Sequence, residues 1–441
     1  MNTPIYDFLQ SYSEREVLRL HMPGHKGKLY CHPLSAVFPY DITEIKGADS
    51  LYEADGIISE SEKNAAKLFG SARTLYSTQG STLCIQTMLA LAARPGSQVI
   101  APRNAHKAFI NSCILLDLDV VWIFPEGENR GIVSFTYSAA DVEKAIISSK
   151  NPSCVYITSP DYYGRMADVA AISEVCKKYG LPLLVDNAHG AHLKFFEKSL
   201  HPMDLGADMC CDSAHKTLPV LTGGAYLHIK NERFAAAAKD KMALFASTSP
   251  SYLTLCSLDL CNEYLENTAR EHLEDAALGI SKLKGMLAGK YEILETEPLH
   301  FALSGIPIGI DGHGLSERLR FCGIEPEYCD DAYAVLLFSP LNSKQEFEKV
   351  LSVLSEINPK DEKIKSESFI VPRPEKVLTP RQAALCESEE IPLEKSLDRI
   401  CAAAKVKCPP GIPVVVPGER IDSSCMNILK KYSISTMNVV K

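Results

Sequence analysis

Runs of basic residues and long apolar stretches are both missing from this sequence of 441 residues. No uninterrupted apolar stretch reaches the ~18 residues a membrane helix needs, and the opening MNTPIYDFLQ carries neither the basic nor the apolar region of a secretory signal. The expectation is therefore a cytoplasmic protein without a membrane span. The net charge of -9 is spread along the chain, which disfavours nucleic acid and anionic membrane as partners. Zinc-site spacing is lacking too: the pair Cys210-Cys211 and the single Cys408 stand in no CxxC or histidine pattern, so no metal is expected. The 15 cysteines lie mostly in apolar runs such as Asn111-Ser112-Cys113-Ile114-Leu115, where reduced, buried thiols are expected rather than a disulfide scaffold.

What is present fits a metabolic enzyme. With 46% hydrophobic and 23% charged residues, the chain can bury a large core and should form two or three domains. Residues 1–45 read as an arm: a short helical start, then the turn HMPGHKG at 21–27. From 46 to 260, short apolar runs at 98–101, 120–125, 154–159, 182–188 and 208–212 are separated by helix-length amphipathic segments such as 168–179. That alternation implies an α/β domain with a mostly parallel sheet buried on both faces. Residues 261–357 read as a smaller α/β domain, opening with one helix over 263–288 that Gly289 ends. After a charged connector over 358–365, a third segment covers 366–441. In it Pro417-Gly418 should deliver Glu419 at a tight turn.

Three constellations carry chemistry. Lys216 stands in the polar turn Ser213-Ala214-His215-Lys216, followed by the apolar Leu218-Pro219-Val220-Leu221. A lysine walled in this way has a depressed pKa and becomes a usable amine nucleophile, whereas an ordinary loop lysine is a solvated charge. Asp186 closes the apolar run Leu183-Leu184-Val185, and an acid at the carboxyl end of a buried strand lines a ligand crevice. Gly80-Ser81-Thr82 precedes a helical segment at 83–93, where backbone amides and hydroxyls can cradle a phosphate. The same residues are also favoured N-caps with no ligand at all. Together, a later lysine and a strand-end Asp point to pyridoxal 5'-phosphate, the lysine holding its aldehyde and the Asp keeping its ring nitrogen protonated.

These motifs stand in a recognisable series: HMPGHKG (21–27), STQGST (77–82), PRNAHKAF (102–109), TSPDYYG (158–164), VDNAHGAH (185–192), SAHKTLP (213–219), TSPSYL (248–253), TPRQA (379–383) and PPGIPVVVPGE (409–419). In this order they resemble the short bacterial form of the Orn/Lys/Arg decarboxylase family over nearly the whole chain. The resemblance implies an aspartate-aminotransferase-like fold and a homodimer or higher homo-oligomer with shared active sites, the HMPGHKG turn lying near the dimer interface. By the same resemblance His106 stacks on the pyridine ring, Ala188 packs on its other face, Ser213 and His215 help bind the phosphate, and His189 lies beside the cofactor. Glu419 is expected either to approach the distal amine of a basic substrate or to be a solvated turn residue.

Asn187 departs from the family pattern, in which many members carry Glu, and is expected to change local charge and substrate preference. Asp398-Arg399-Ile400 and Cys408-Pro409-Pro410 depart slightly, with packing rather than chemistry affected. The implied activity is decarboxylation of arginine, lysine or ornithine to the amine and carbon dioxide. An aminotransferase or other lyase would use the same lysine, Asp and cradle. A noncatalytic regulatory or interaction relative would have lost them, and Lys216 and Asp186 are both present.

Overall fold

The computed structural model describes residues 1–15, 17–28, 33–359, 364, 367–405 and 411–441; the Cys408-Pro409-Pro410 departure lies outside them. The architecture is α/β with a mostly parallel central sheet. Two compact units form: Met1–Leu91 with Val185–Glu274, and Ala92–Leu184 with Asp275–Lys441. This grouping interleaves along the sequence, whereas the division at 45, 260 and 357 is consecutive.

In the first unit the strands Arg73–Ser77 and Met209–Asp212 flank Ala225–Ile229, which runs antiparallel to both, with Leu227 opposite Leu75 on one side and Cys211 on the other. Ala225–Ile229 and Met209–Asp212 are buried throughout, as strands covered on both faces must be. The helix Pro4–Ser13 is tied down by a distant side chain: the amides of Ile5 and Tyr6 donate to Asp259 Oδ2 at 2.9 and 3.1 Å. Asp259 lies on the helix Tyr252–Asn267, and Ser61, on the helix Ile57–Phe69, donates to its other oxygen. The start of the expected arm is thus a docked helix.

In the second unit the strands Gln98–Pro102, Asp119–Ile123 and Pro152–Thr158 run parallel, pairing Val99 with Val120 and with Cys154. Their positions match the apolar runs of the sequence within a residue or two. A four-stranded antiparallel sheet has the order Tyr328–Cys329, Ala334–Leu337, His300–Ser304, Glu292–Ile293. A three-stranded one has the order Ser388–Pro392, Thr436–Val440, Cys401–Ala403. Val414, Val415, Ile428 and Met437 join Tyr163 and Leu294 in one buried cluster. The C-terminal segment therefore contributes to the core rather than hanging from it.

One expected element divides. Residues 263–288 are not a single helix: Tyr252–Asn267 stops at Thr268, and Ala269–Leu287 follows. Thr is a poor helix former whose hydroxyl competes for backbone partners, and here it reaches back to the carbonyl of Tyr264. Beyond the second helix Gly289 takes φ +87°, the left-handed conformation that glycine adopts freely. The described cysteines are free thiols, most of them buried.

Asp49 organises the start of the helix Ile57–Phe69. Its Oδ1 accepts the amides of Ser50 and Asp55, and its Oδ2 those of Gly56, Ile58 and Ser59. It does the work of an N-cap from outside the helix. Asp49→Ala should cost about 2 kcal/mol in urea unfolding, the upper end for a lost cap, and Asp49→Asn distinctly less because one amide-accepting oxygen survives.

Candidate active site

Most of the expected site residues fall in the first unit, at chain turns that follow its strands. Asp186 closes the strand Leu183–Asp186 and is 3% exposed. Its Oδ1 accepts the amide of Ala188 at 3.2 Å and meets the thiol of Cys211 at 3.6 Å. Burial pushes the thiol well up, so it stays protonated. Lys216 lies in the one-turn helix Ala214–Thr217, and its Nζ is 2.8 Å from Nε2 of the buried His189. A nucleophilic amine and an imidazole are thus in proton-transfer distance.

The cradle is also assembled. The helix Gly80–Ala92 begins with Gly80 at φ +68°, where an added Cβ would meet nothing within 4 Å. Open space there and a helix N-terminus, whose first-turn amides have no partner within the helix, fit an anion. Ser213 Oγ donates to Ser81 Oγ at 2.9 Å, joining the two serines of separate motifs, while Thr82 is exposed on the same first turn. The Gly80 amide donates to the carbonyl of Gly223 at 2.7 Å, which fixes the loop after the lysine against the cradle. These donors, the amine and the strand-end acid together fit the phosphate, aldehyde and ring nitrogen of pyridoxal phosphate.

His215 Nδ1 lies 2.9 Å from the carbonyl of Gly224 and must donate to it, and burial lowers the ring's pKa. The neutral ring therefore carries a lone pair at Nε2, which suits a hydroxyl or amide better than a phosphate oxygen.

Beneath the strand-end acid lies a network that sequence reasoning missed. Asp212 is fully buried at the end of Met209–Asp212; its Oδ1 accepts from Asn187 Nδ2 at 2.7 Å, and its Oδ2 faces Nε2 of His201 at 2.9 Å and of His228 at 3.1 Å. Burial alone would raise its pKa, but the two imidazoles outweigh burial and hold the carboxyl well below the usual range. His201 accepts the amide of Met203 at Nδ1, so its proton sits at Nε2, aimed at Asp212. The ligand atoms of His201, Cys210 and Asp212 lie within 4.8 Å of one another. The histidine proton already occupies the carboxylate, and burial pushes the Cys210 thiol well up, so the group reads as a hydrogen-bond network rather than a metal site. The signal was available: Asp212, like Asp186, is an acid closing an apolar run.

Asn187 belongs to this network. Its side-chain amide is spent on Asp212, and a Glu there would set a second carboxylate against a buried one. Its local effect is on Asp212. Gly190 must remain small beside it, since a Cβ would come within 2.0 Å of Asn187 Oδ1.

His106 and Glu419 belong to the second unit. His106 caps the helix Lys107–Leu116, its Nδ1 accepting the amide of Ala108 at 3.1 Å. Glu419 is 4% exposed, so the solvated-turn alternative fails. Its Oε2 pairs with Arg103 Nη2 at 2.7 Å and accepts the amide of Val416 at 2.8 Å, which already commits the carboxylate that a substrate amine was expected to meet. Burial pushes its pKa up while Arg103 pulls it back. The same unit holds a cavity of about 630 Å³ walled by Asn104, Tyr137, Thr158, Asp161, Arg165 and Glu295. Burial raises Asp161 to about 6, although its Oδ1 accepts the amides of Tyr163 and Arg165.

Residues 3–292 match the family model for the Orn/Lys/Arg decarboxylase major domain, and residues 362–435 that for the Orn/Lys/Arg decarboxylase C-terminal domain. An arginine decarboxylase of Bacillus subtilis is 29% identical over 97% of this chain and 93% of its own length. One of Halalkalibacterium halodurans is 30% identical over the same shares. Among solved structures, a lysine decarboxylase of Francisella novicida superposes with TM-score 0.82 at 17% identity, covering 100% of this chain and 81% of that one. A serine palmitoyltransferase of Sphingomonas wittichii gives 0.55 at 15% identity over 70% of this chain and 78% of that one. These likenesses give the fold.

Breaking the Asp212 network should be costly. Asp212→Asn removes a buried anion that faces two imidazoles and is expected to lose about 3–5 kcal/mol of stability in denaturant unfolding. The pH dependence has a definite sign. A carboxyl held low when folded contributes stability above its unfolded pKa of about 4 and loses it as pH falls; His228, lowered by burial, adds loss in the same direction below about 6.5. Acid unfolding of Asp212→Asn should therefore have the shallower slope.

Proposed function

Since the chain belongs to the Orn/Lys/Arg decarboxylase family, we propose that this amino acid decarboxylase uses pyridoxal 5'-phosphate to convert a basic amino acid, arginine first among arginine, lysine and ornithine, to its amine and carbon dioxide. The observation that carries this reading is Lys216 Nζ at 2.8 Å from His189 Nε2, in the unit that also holds the buried strand-end Asp186 and the Ser81–Ser213 pair. The name borne by relatives aligned over nearly their full length supports arginine.

When bound, pyridoxal phosphate supplies the electron sink for the pair left at Cα as carbon dioxide departs. Lys216 contributes the amine that holds the aldehyde carbon, and His189 takes or returns a proton at Nζ. Asp186 keeps a proton on the ring nitrogen, an electrostatic task suited to an acid that is buried and already oriented by the Ala188 amide. Gly80, Ser81, Thr82 and Ser213 gather the phosphate. By the family likeness alone, Ala188 would leave one ring face clear of bulk and His106 would stack on the other. By the same family likeness the working form is a homodimer or higher homo-oligomer with shared sites; light scattering of the purified protein tests the assembly.

Borohydride treatment should fix the cofactor to the peptide containing Lys216, seen as added mass, and Lys216→Ala should abolish that mass; labelling of another lysine would refute the assignment. Asp186→Asn should fold and still be labelled, yet lose roughly 10²-fold or more in turnover. A panel of the three basic amino acids, read by carbon dioxide and amine, tests the reaction itself. A keto acid product would instead mark a transaminase.

A further inference from the structure

The loop over residues 102–107 leaves the strand Gln98–Pro102, carries His106, and enters the helix Lys107–Leu116. It is short, yet a segment some 300 residues later holds it at three points. The Arg103 guanidinium donates from Nη2 both to Glu419 Oε2 at 2.7 Å and to the carbonyl of Val414 at 2.9 Å. The Lys107 amide donates to the carbonyl of Gly411 at 2.8 Å. Gly411 itself sits at φ +70° so close to the imidazole that a Cβ would lie 2.5 Å from His106 Nε2.

Arg103 is fixed on its other side as well, its guanidinium carbon 4.7 Å from the ring centre of Trp122. Both partners of the ion pair are buried, Arg103 at 3% and Glu419 at 4% exposure, and Glu419 is the only carboxylate paired with Arg103 among the described residues. A buried cation depends on its one anion far more than a surface cation does. The amide of Val416 fixes the carboxylate in turn.

We propose that Glu419 is a positioning residue: through its buried ion pair with Arg103 it fixes the loop over 102–107 and thereby holds the His106 ring where it meets the cofactor. The inference rests on the reading of His106 as the residue that stacks on pyridoxal phosphate. It gives the PPGIPVVVPGE motif a task within its own chain, in place of contact with the substrate. His106 takes its orientation from three sides: the Ala108 amide at Nδ1, the bare Cα of Gly411 at Nε2, and the anchored Arg103 three residues before it.

Trp122 is the single tryptophan of the chain, so its fluorescence reports on this loop without labelling. The full-length protein, stripped of cofactor, is titrated with pyridoxal 5'-phosphate, and its dissociation constant is read from quenching of Trp122 in wild type, His106→Ala, Glu419→Gln and the double variant. Glu419→Gln should weaken binding about tenfold, and the double variant should bind no more weakly than His106→Ala alone. Glu419→Asp, which keeps the charge buried but withdraws it by one methylene, should fall between wild type and Gln, and serves alone if Gln fails to fold. The proposal is overturned if either Glu419 variant folds and binds as wild type, or if its effect multiplies undiminished on that of His106→Ala. Wild-type affinity in His106→Ala would overturn the stacking role of His106, and the inference with it, while borohydride labelling of Lys216 would still stand.

Discussion

A carboxylate taken out of water must be met by donors or it will take up a proton, and this constraint organises the region around Asp186. Asp212 satisfies it with the amide of Asn187 and two imidazoles. Those contacts fix the turn that starts at Asn187, whose own amide is bonded to the carbonyl of Cys211 at 2.9 Å. Asp186 precedes that turn and Ala188 and His189 lie within it, so the acid, the small residue bonded to it and the partner of Lys216 all inherit their positions from one buried anion. A chain that lost the imidazoles would have to neutralise Asp212, and the Asn187 amide would face a hydroxyl in place of a charge.

The parts of the fold legible in the sequence were those set by local pattern. The runs at 98–101, 154–159 and 208–212 are apolar without alternation, because both faces of such strands are covered, and each is a strand in the structure. The acid at the end of one run and the lysine after another could be read as chemistry for the same reason: a polar group at the edge of a buried element is a departure from pattern. The strand Arg73–Ser77 is different. Its Arg, Thr, Tyr and Ser give no clear run, and its place depends on pairing with Ala225–Ile229, some 150 residues on.

What stayed hidden was the choice of partner. Nothing local distinguishes Glu419 after Pro-Gly from a solvated turn acid; only the return of the chain to Arg103 does so. The protonation pattern of His215 likewise comes from a carbonyl nine residues away, Gly224, which claims the proton at Nδ1. Asn187 looked like a change of charge at the site, whereas its amide faces inward to Asp212. In each case the direction of the side chain is decided by contacts that no local pattern announces.

The helix Pro4–Ser13 begins on the amides of Ile5 and Tyr6, and both are received by Asp259, a residue 254 positions beyond Ile5. During synthesis at ~5–20 residues per second, the helix is made roughly 13–50 s before its acceptor. A ten-residue helix is marginal alone in water, so this segment waits largely unstructured. This segment is therefore made well before it is secured, and a nascent chain stalled before residue 259 would present it to chaperones and proteases.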